Sequence, residues 1–287
     1  MRVISWNIQW GRGADGVVNL SRIIDRIGAL GPADVICLQE VATGFDGLPG
    51  GTGEDGLSVL STAFDEYVAI HGPAVDMPRG DGRRRTFGNL LLSRLPVAAV
   101  YRHLLPSPPE RGVLSMSRGC IEAVVMSAQG VPVRVLTTHL EYYAPGQRLA
   151  QARWLHARQA AVARLAGFPP LEREKAGPFA RPEMPVAAVL CGDFNCEPDT
   201  LDWQAIVDVR DSESPWCDAW RLRHGDTPHP PSVGLHGADW PDRPYCCDYV
   251  FVSRPLAAAV SDVFYDAVTD ASDHQPVVID LDLSLLV

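Results

Sequence analysis

The chain holds 287 residues, 46% of them hydrophobic and 21% charged, which suits one large domain or two small ones whose core needs no staples. Its net charge of −10 and pI near 5.2 argue against a basic surface for tight, non-specific duplex binding. They leave a nucleic-acid substrate open, because bound cations can offset carboxylates clustered in a site. No apolar run approaches the roughly 20 residues of a membrane span. Seven cysteines without C-x-x-C spacing fit a reducing cytosol better than a disulfide framework or a zinc site.

Residues 2–8 alternate as a strand that delivers Asn7 to its end, with no room ahead of it for a signal peptide, so the expected location is cytoplasmic. Val18, Ile23, Ile24, Ile27 and Leu30 recur at helical spacing until Gly31-Pro32 stops them. Asp34 to Glu40 is a second buried strand ending in an acid. This β-α-β opening puts Asn7 and Glu40 at the strand edge where ligands collect in open α/β sheets. A glycine-rich loop (42–56), a short helix (57–64) and a strand (66–70) follow. Asp76 to Thr86, with Arg79, Arg83, Arg84 and Arg85, reads as a charged loop, either merely solvated or a basic rim over a phosphate site.

Strands are predicted at 87–93 and 97–104, then a Pro-rich loop and a hairpin of 119–126 with 131–138 that ends at His139. Gly146 to Ala166 is an amphipathic helix with Arg148, Gln151, Arg158 and Gln159 on its polar side. Gly167 to Pro185 reads as a surface excursion within one domain. The apolar run Val186–Cys191 is a buried strand that breaks at Gly192 and empties Asp193 and Asn195 into a Pro-bounded turn. Residues 199–223 read as helical with a break near Ser212–Pro215, and 224–245 as a loop long enough to be functional or disordered. Strands at 247–252 and 260–265 and the triplet Ser272-Asp273-His274 precede a last strand, 276–283.

Asn7, Glu40, His139, Asp193, Asn195, Asp248, Asp273 and His274 thus stand at strand ends. The carboxylates are hard oxygen ligands for Mg²⁺ or Mn²⁺, and two imidazoles can divide proton transfer and charge stabilisation in a displacement at phosphorus.

Trp6-Asn7-Ile8, Leu38-Gln39-Glu40, Thr138-His139-Leu140, Gly192-Asp193-Phe194-Asn195, Asp248-Tyr249-Val250-Phe251 and Ser272-Asp273-His274 come in the order and rough spacing of known motifs. In this the chain resembles the endonuclease/exonuclease/phosphatase superfamily from residue 3 to residue 280. The resemblance implies a four-layer α/β sandwich, deoxyribonuclease I-like: two mixed sheets face to face, helices outside, the site at one end, and a single domain over 1–287. It implies a Mg²⁺-dependent hydrolase of phosphoric esters, with Mn²⁺ as a substitute. Glu40 resembles the main metal ligand, with Asn7 and Asp273 completing or supporting the site. Asp193 and Asn195 would position or activate the water and contact the phosphate. His274, paired with Asp248, would be general base or stabilise the transition state; His139 would hydrogen-bond the phosphate or act as general acid. Asn89 resembles a residue that orients the histidine, and Arg118 and Arg85 are further candidates for substrate contact. Gln9 departs from the Asp that abasic-site endonucleases carry there, which moves the reading away from that branch. The expected partner is a phosphoester, nucleic acid included, met by a monomer without stable membrane insertion. A DNA or RNA nuclease and a non-catalytic phosphate-binding scaffold are the rival readings.

Overall fold

In the computed structural model, which describes residues 1–51, 53–168, 171, 177–180, 182–207 and 215–286, the opening strand Arg2–Asn7 (β1) runs parallel to Val35–Thr43 (β2). The helix Leu20–Ala29 (α1) joins them, its start capped by the Asn19 side chain, which accepts from Ser21 N, and the helix Gly56–Ala63 (α2) follows β2. Alternation along the strands feeds two cores. Val3, Val35 and Cys37 face inward, whereas Ile4, Trp6, Ile36 and Leu38 face outward and meet Leu20, Ile23 and Ile27 of α1. Burial on both faces explains why these strands read as near-continuous apolar runs.

The first sheet is completed by Val68–Pro78 (β3), Arg84–Ser93 (β4), Val260–Tyr265 (β11) and Val277–Leu281 (β12), in the order β11-β12-β1-β2-β4-β3. The second sheet comprises Val97–Leu104 (β5), Gly119–Met126 (β6), Pro132–His139 (β7), Ala188–Asp193 (β8), Trp216–Asp218 (β9) and Asp248–Ser253 (β10). Its order is β5-β6-β7-β8-β10-β9. Val135, Val189, Cys191 and Val250 share the inner core with Val3 and Val35, so the sheets pack face to face. On the outer face of the second sheet, Ala152 and Leu155 of the helix Pro145–Leu165 (α3) meet Leu136, Leu190 and Phe251. The result is the four-layer α/β sandwich.

Register carries the polar strand ends to one edge. His139 lies opposite Asp193 in the parallel β7–β8 pair, and Asp193 lies opposite Asp248 in the antiparallel β8–β10 pair. Gly192, at φ +139°, makes the closest approach: a Cβ there would stand 1.9 Å from the Thr138 carbonyl oxygen. β2 is bulged between Leu38 and Val41, and Glu40 takes a left-handed φ of 60°, which turns its side chain away from regular alternation.

Three stretches differ from expectation. The charged loop of 76–86 is mostly the end of a long hairpin: β3 and β4 stay paired through Pro78 and Arg84, and the Arg84 guanidinium bonds Asp76 across it. Gln151 and Gln159 on α3 are buried rather than solvated. Gln151 accepts from Glu141 N and donates to Pro106 O, while Gln159 donates to Val186 O, so backbone groups replace water. Within 199–223 the described residues form the helix Leu201–Val207 (α4), the strand β9 and the helix Ala219–His224 (α5). Most of the expected break, 212–214, lies outside the described residues. Trp216 is drawn into β9 because its indole is buried and donates to Leu155 O. Of the excursion 167–185, residues 169–170, 172–176 and 181 lie outside the described residues. Its described residues from Gly167 to Glu183 are exposed.

Candidate active site

Asn7, at the end of β1, turns its amide NH₂ toward two acids, donating to Asp193 Oδ2 at 3.0 Å and Glu40 Oε1 at 3.2 Å. Its Oδ1 accepts from Gln9 N at 3.1 Å. Asp193 spends its other oxygen, Oδ1, on Asn195 N at 2.8 Å, closing an Asx turn that sets Asn195 at φ 50°. Asp193 Oδ2 is thus aimed by the backbone on one side and by Asn7 on the other. Both imidazoles face it, His139 Nε2 at 3.4 Å and His274 Nε2 at 3.6 Å.

The two histidines are held differently. His274 Nδ1 meets Asp248 Oδ2 at 2.8 Å, and the Ser232 hydroxyl donates to the same oxygen at 2.7 Å. Burial disfavours charge on His274, but Asp248, Asp193 and Asp273 outweigh it and hold the imidazole well above its ordinary value. Asn195 Nδ2 donates to Leu140 O at 2.9 Å and faces His139 Nε2 at 3.0 Å. The carbonyl fixes the amide's orientation, so Nε2 of His139 is the acceptor and its proton sits on Nδ1, which faces Glu40 Oε1 at 3.7 Å. Burial, with the Arg118 charge second, lowers His139 to about 3.

Burial, then the charge of Asp273, pushes the Glu40 carboxyl up to about 7, and burial raises Asp273 as well. Carboxylates crowded this way take up protons unless a cation stands between them. Gln9 completes the group: its Nε2 donates to Asp273 Oδ2 at 2.6 Å, and its buried Oε1 has no hydrogen-bond partner. Two crowded acids beside an orphaned amide oxygen are a hard-oxygen donor set and fit a divalent cation such as Mg²⁺ or Mn²⁺. Asp193, Cys247, Asp248 and His274 also lie within 4.8 Å of one another. The strong bond between His274 Nδ1 and Asp248 makes that group a histidine–carboxylate pair, with the thiol donating to the acid at 3.5 Å.

These residues floor an open cleft of about 690 Å³ that also reaches Arg118, Tyr142 and Trp240. Arg118 is buried and fixed by Glu141 at 3.1 Å, while its Nη1 is left without a partner. Arg85 and Asn89 do not line this cleft. Arg85 lies over the Phe45 ring at 5.2 Å, and buried Asn89 donates to Gly119 O at 3.0 Å, tying β4 of one sheet to β6 of the other. Ser232, Glu141 and the tyrosines Tyr142 and Tyr143 were missed in the sequence. Ser232 carried no signal beyond lying in the long 224–245 loop, whose backbone pairs with His274 through Val233. Ser272 was legible only as part of its triplet; its hydroxyl donates to Asn7 O at 2.8 Å and joins the two ends of the chain.

The profile of the Endonuclease/Exonuclease/phosphatase family matches residues 4–274. No curated protein matches the chain. Among solved structures, an endonuclease/exonuclease/phosphatase from Beutenbergia cavernae is 26% identical with a TM-score of 0.66, over 98% of this chain and 71% of that one. A mannosyl-6-phosphatase from Bacteroides thetaiotaomicron is 16% identical with a TM-score of 0.61, over 98% and 99%. A 3′–5′ exonuclease from Neisseria meningitidis is 20% identical with a TM-score of 0.57, over 98% and 100%. At under 25% identity, these last two share the fold.

Proposed function

The chain belongs to the endonuclease/exonuclease/phosphatase family, and from that premise we propose that it hydrolyses a phosphoric ester by in-line attack of water on phosphorus. The observation that carries the reading is the carboxylate oxygen Asp193 Oδ2, fixed by Asn7 and faced by two differently held imidazoles. Glu40 and Asp273 would hold Mg²⁺, with Gln9 Oε1 as a neutral oxygen beside them and Asn7 keeping Glu40 in position. When bound, the cation polarises a phosphoryl oxygen and offsets charge on the leaving group.

The protein's own groups divide the remaining work. Asp193 orients the attacking water and accepts its hydrogen bond. His274, fixed through Nδ1 by Asp248 and Ser232, presents Nε2 beside that water as the proton acceptor, or as the cation that stabilises a phosphoryl oxygen. His139 has Nε2 occupied by Asn195, so it serves through Nδ1–H as a neutral donor to the phosphate rather than as a general acid. Asn195 holds that tautomer. Arg118, held by Glu141 through Nε, presents its guanidinium at the cleft to one phosphate oxygen.

The test is turnover of a panel of phosphoesters in Mg²⁺ by the wild type, His139→Ala, His274→Ala and the double variant. His274→Ala should cost on the order of 10²–10⁴ in kcat, the usual worth of one acid–base group, and His139→Ala about 10²–10³, the worth of one donor to the transition state. The double variant should lose less than the product of the two, because both act on one transition state. Wild-type rates in both single variants would overturn the mechanism, and full activity in excess EDTA would overturn the metal.

A further inference from the structure

One wall of the cleft is built from large aromatic side chains that the catalytic chemistry does not use. Tyr142 packs edge to face with Tyr143 at 4.7 Å and with Trp240 at 5.2 Å, and Trp240 packs the same way on Tyr245 at 6.1 Å. This arrangement fixes each ring against its neighbour. It does not hide them: Tyr142, Tyr143 and Trp240 remain 37%, 56% and 38% exposed. Trp10 reaches the same cleft, anchored by its indole N–H on Pro49 O at 3.1 Å. Exposed apolar area of this extent beside a polar floor marks a surface made to be covered.

The charges around the cleft limit what can cover it. Arg148 is held by Asp202 at 3.0 Å, Arg12 by Asp239 at 2.6 Å, and Arg243 is paired with Glu197. Arg118 is the only arginine or lysine that lines the cleft among the described residues, and one guanidinium can serve one phosphate. A polynucleotide track needs a series of unpaired cations, one for each phosphate neutralised. A phospholipid needs a long aliphatic surface; here the aliphatic members of the lining are Leu114 and Met116, the rest of the wall being rigid rings. A cleft of about 690 Å³ is the size that accepts one nucleoside-sized group.

We infer that the substrate is a small phosphoester carrying one planar, uncharged, nucleobase-like ring, which lies against the Tyr142–Trp240 wall while a single phosphate meets Arg118 and the histidines. This rests on the phosphoester reading of the site. Aromatic stacking on a base is sequence-tolerant and needs no dedicated hydrogen bonds, so the wall selects for a ring rather than for a particular base.

The experiment is equilibrium binding by calorimetry to the full chain with Ca²⁺, comparing adenosine 5′-monophosphate with ribose 5-phosphate. The two share phosphate and sugar and differ in the ring. The nucleotide should bind at least about fivefold tighter, the lower end of what one stacked base contributes. In Trp240→Ala and Tyr143→Ala that ratio should fall toward one, and the salt dependence should correspond to about one phosphate. Equal affinity for the two ligands, or equal weakening of both in the variants, overturns the ring subsite. A twelve-residue oligonucleotide binding more than tenfold tighter than the mononucleotide, with a steep salt slope, would assign a polynucleotide instead. Preferential binding of a decyl phosphate would assign an acyl chain. Turnover of bis-p-nitrophenyl phosphate in Mg²⁺ is measured separately. Absent turnover with a persisting nucleotide preference would remove the hydrolase reading and leave the subsite standing.

Discussion

Two strand glutamates, Glu122 on β6 and Glu40 on β2, sit in opposite electrostatic settings. Glu122 is fully buried, and burial alone would raise it. It nevertheless meets His103 at 2.8 Å, Arg158 at 2.9 Å and Arg134 at 2.6 Å, and these hydrogen-bond partners bring it down to about 2. Arg134 is in turn bonded to Gln159 and to Pro185 O, so the network closes on itself. Glu40 instead has acids for neighbours, an amide donor from Asn7 and an opening to the cleft, and it stands at about 7. A closed network specifies packing. An open one keeps charge in reserve for a cation and a phosphate, at a cost in stability that functional sites commonly carry.

Breaking the open member should give the largest effect. Glu40→Gln should lower turnover by at least about 10³, the scale of losing one strong electrostatic stabiliser, while its Tm in metal-free buffer stays at or above wild type. Calorimetry beside a rate assay checks both, and a drop in Tm would mean that Glu40 is structural. The closed member should behave the other way. Glu122→Gln leaves Arg134 buried and uncompensated, which typically costs about 3–5 kcal/mol. Urea unfolding followed by near- and far-UV signals should show one coincident transition in both proteins, as a single domain requires.

Acid should sharpen the contrast. The folded value of Glu122 lies below its ordinary 4.5 at about 2, so its contribution is complete above pH 4.5 and is lost as pH falls toward 2. Between pH 6 and pH 3 the gap in stability between wild type and Glu122→Gln should narrow by about 2 kcal/mol, at 1.36 kcal/mol per pH unit. A gap that does not change over that range would mean that Glu122 is not held ionised by its partners. The smallest expected effect belongs to Ser232→Ala. It removes one hydrogen bond to the Asp248 carboxylate, and kcat should fall about tenfold, the value of a single bond to a charged group. An unchanged rate would show that His274 and the Cys247 thiol orient Asp248 without it.

The parts of the fold governed by local repetition were legible from the residues alone. Apolar runs such as Val35–Leu38 and Val189–Cys191 could only be buried strands, and the polar residues that end them, Asn7, Glu40, His139 and Asp193, could be read as one edge in a familiar order. Tertiary structure decided which of these residues touch and which groups stand behind them. Asp193 meets Asn7 across 186 residues, and Ser232 steadies Asp248 from a loop with no periodicity of its own. Asn89, Gln151 and Gln159 carry polar side chains that a sequence pattern assigns to solvent or substrate, yet each is buried on a backbone group of another element. The aromatic wall joins Tyr142 and Trp240, far apart in the chain. Periodicity reports which way a side chain leaves its own strand or helix. The identity of its neighbour depends on sheet register and loop path, which are set only when the two sheets close on each other.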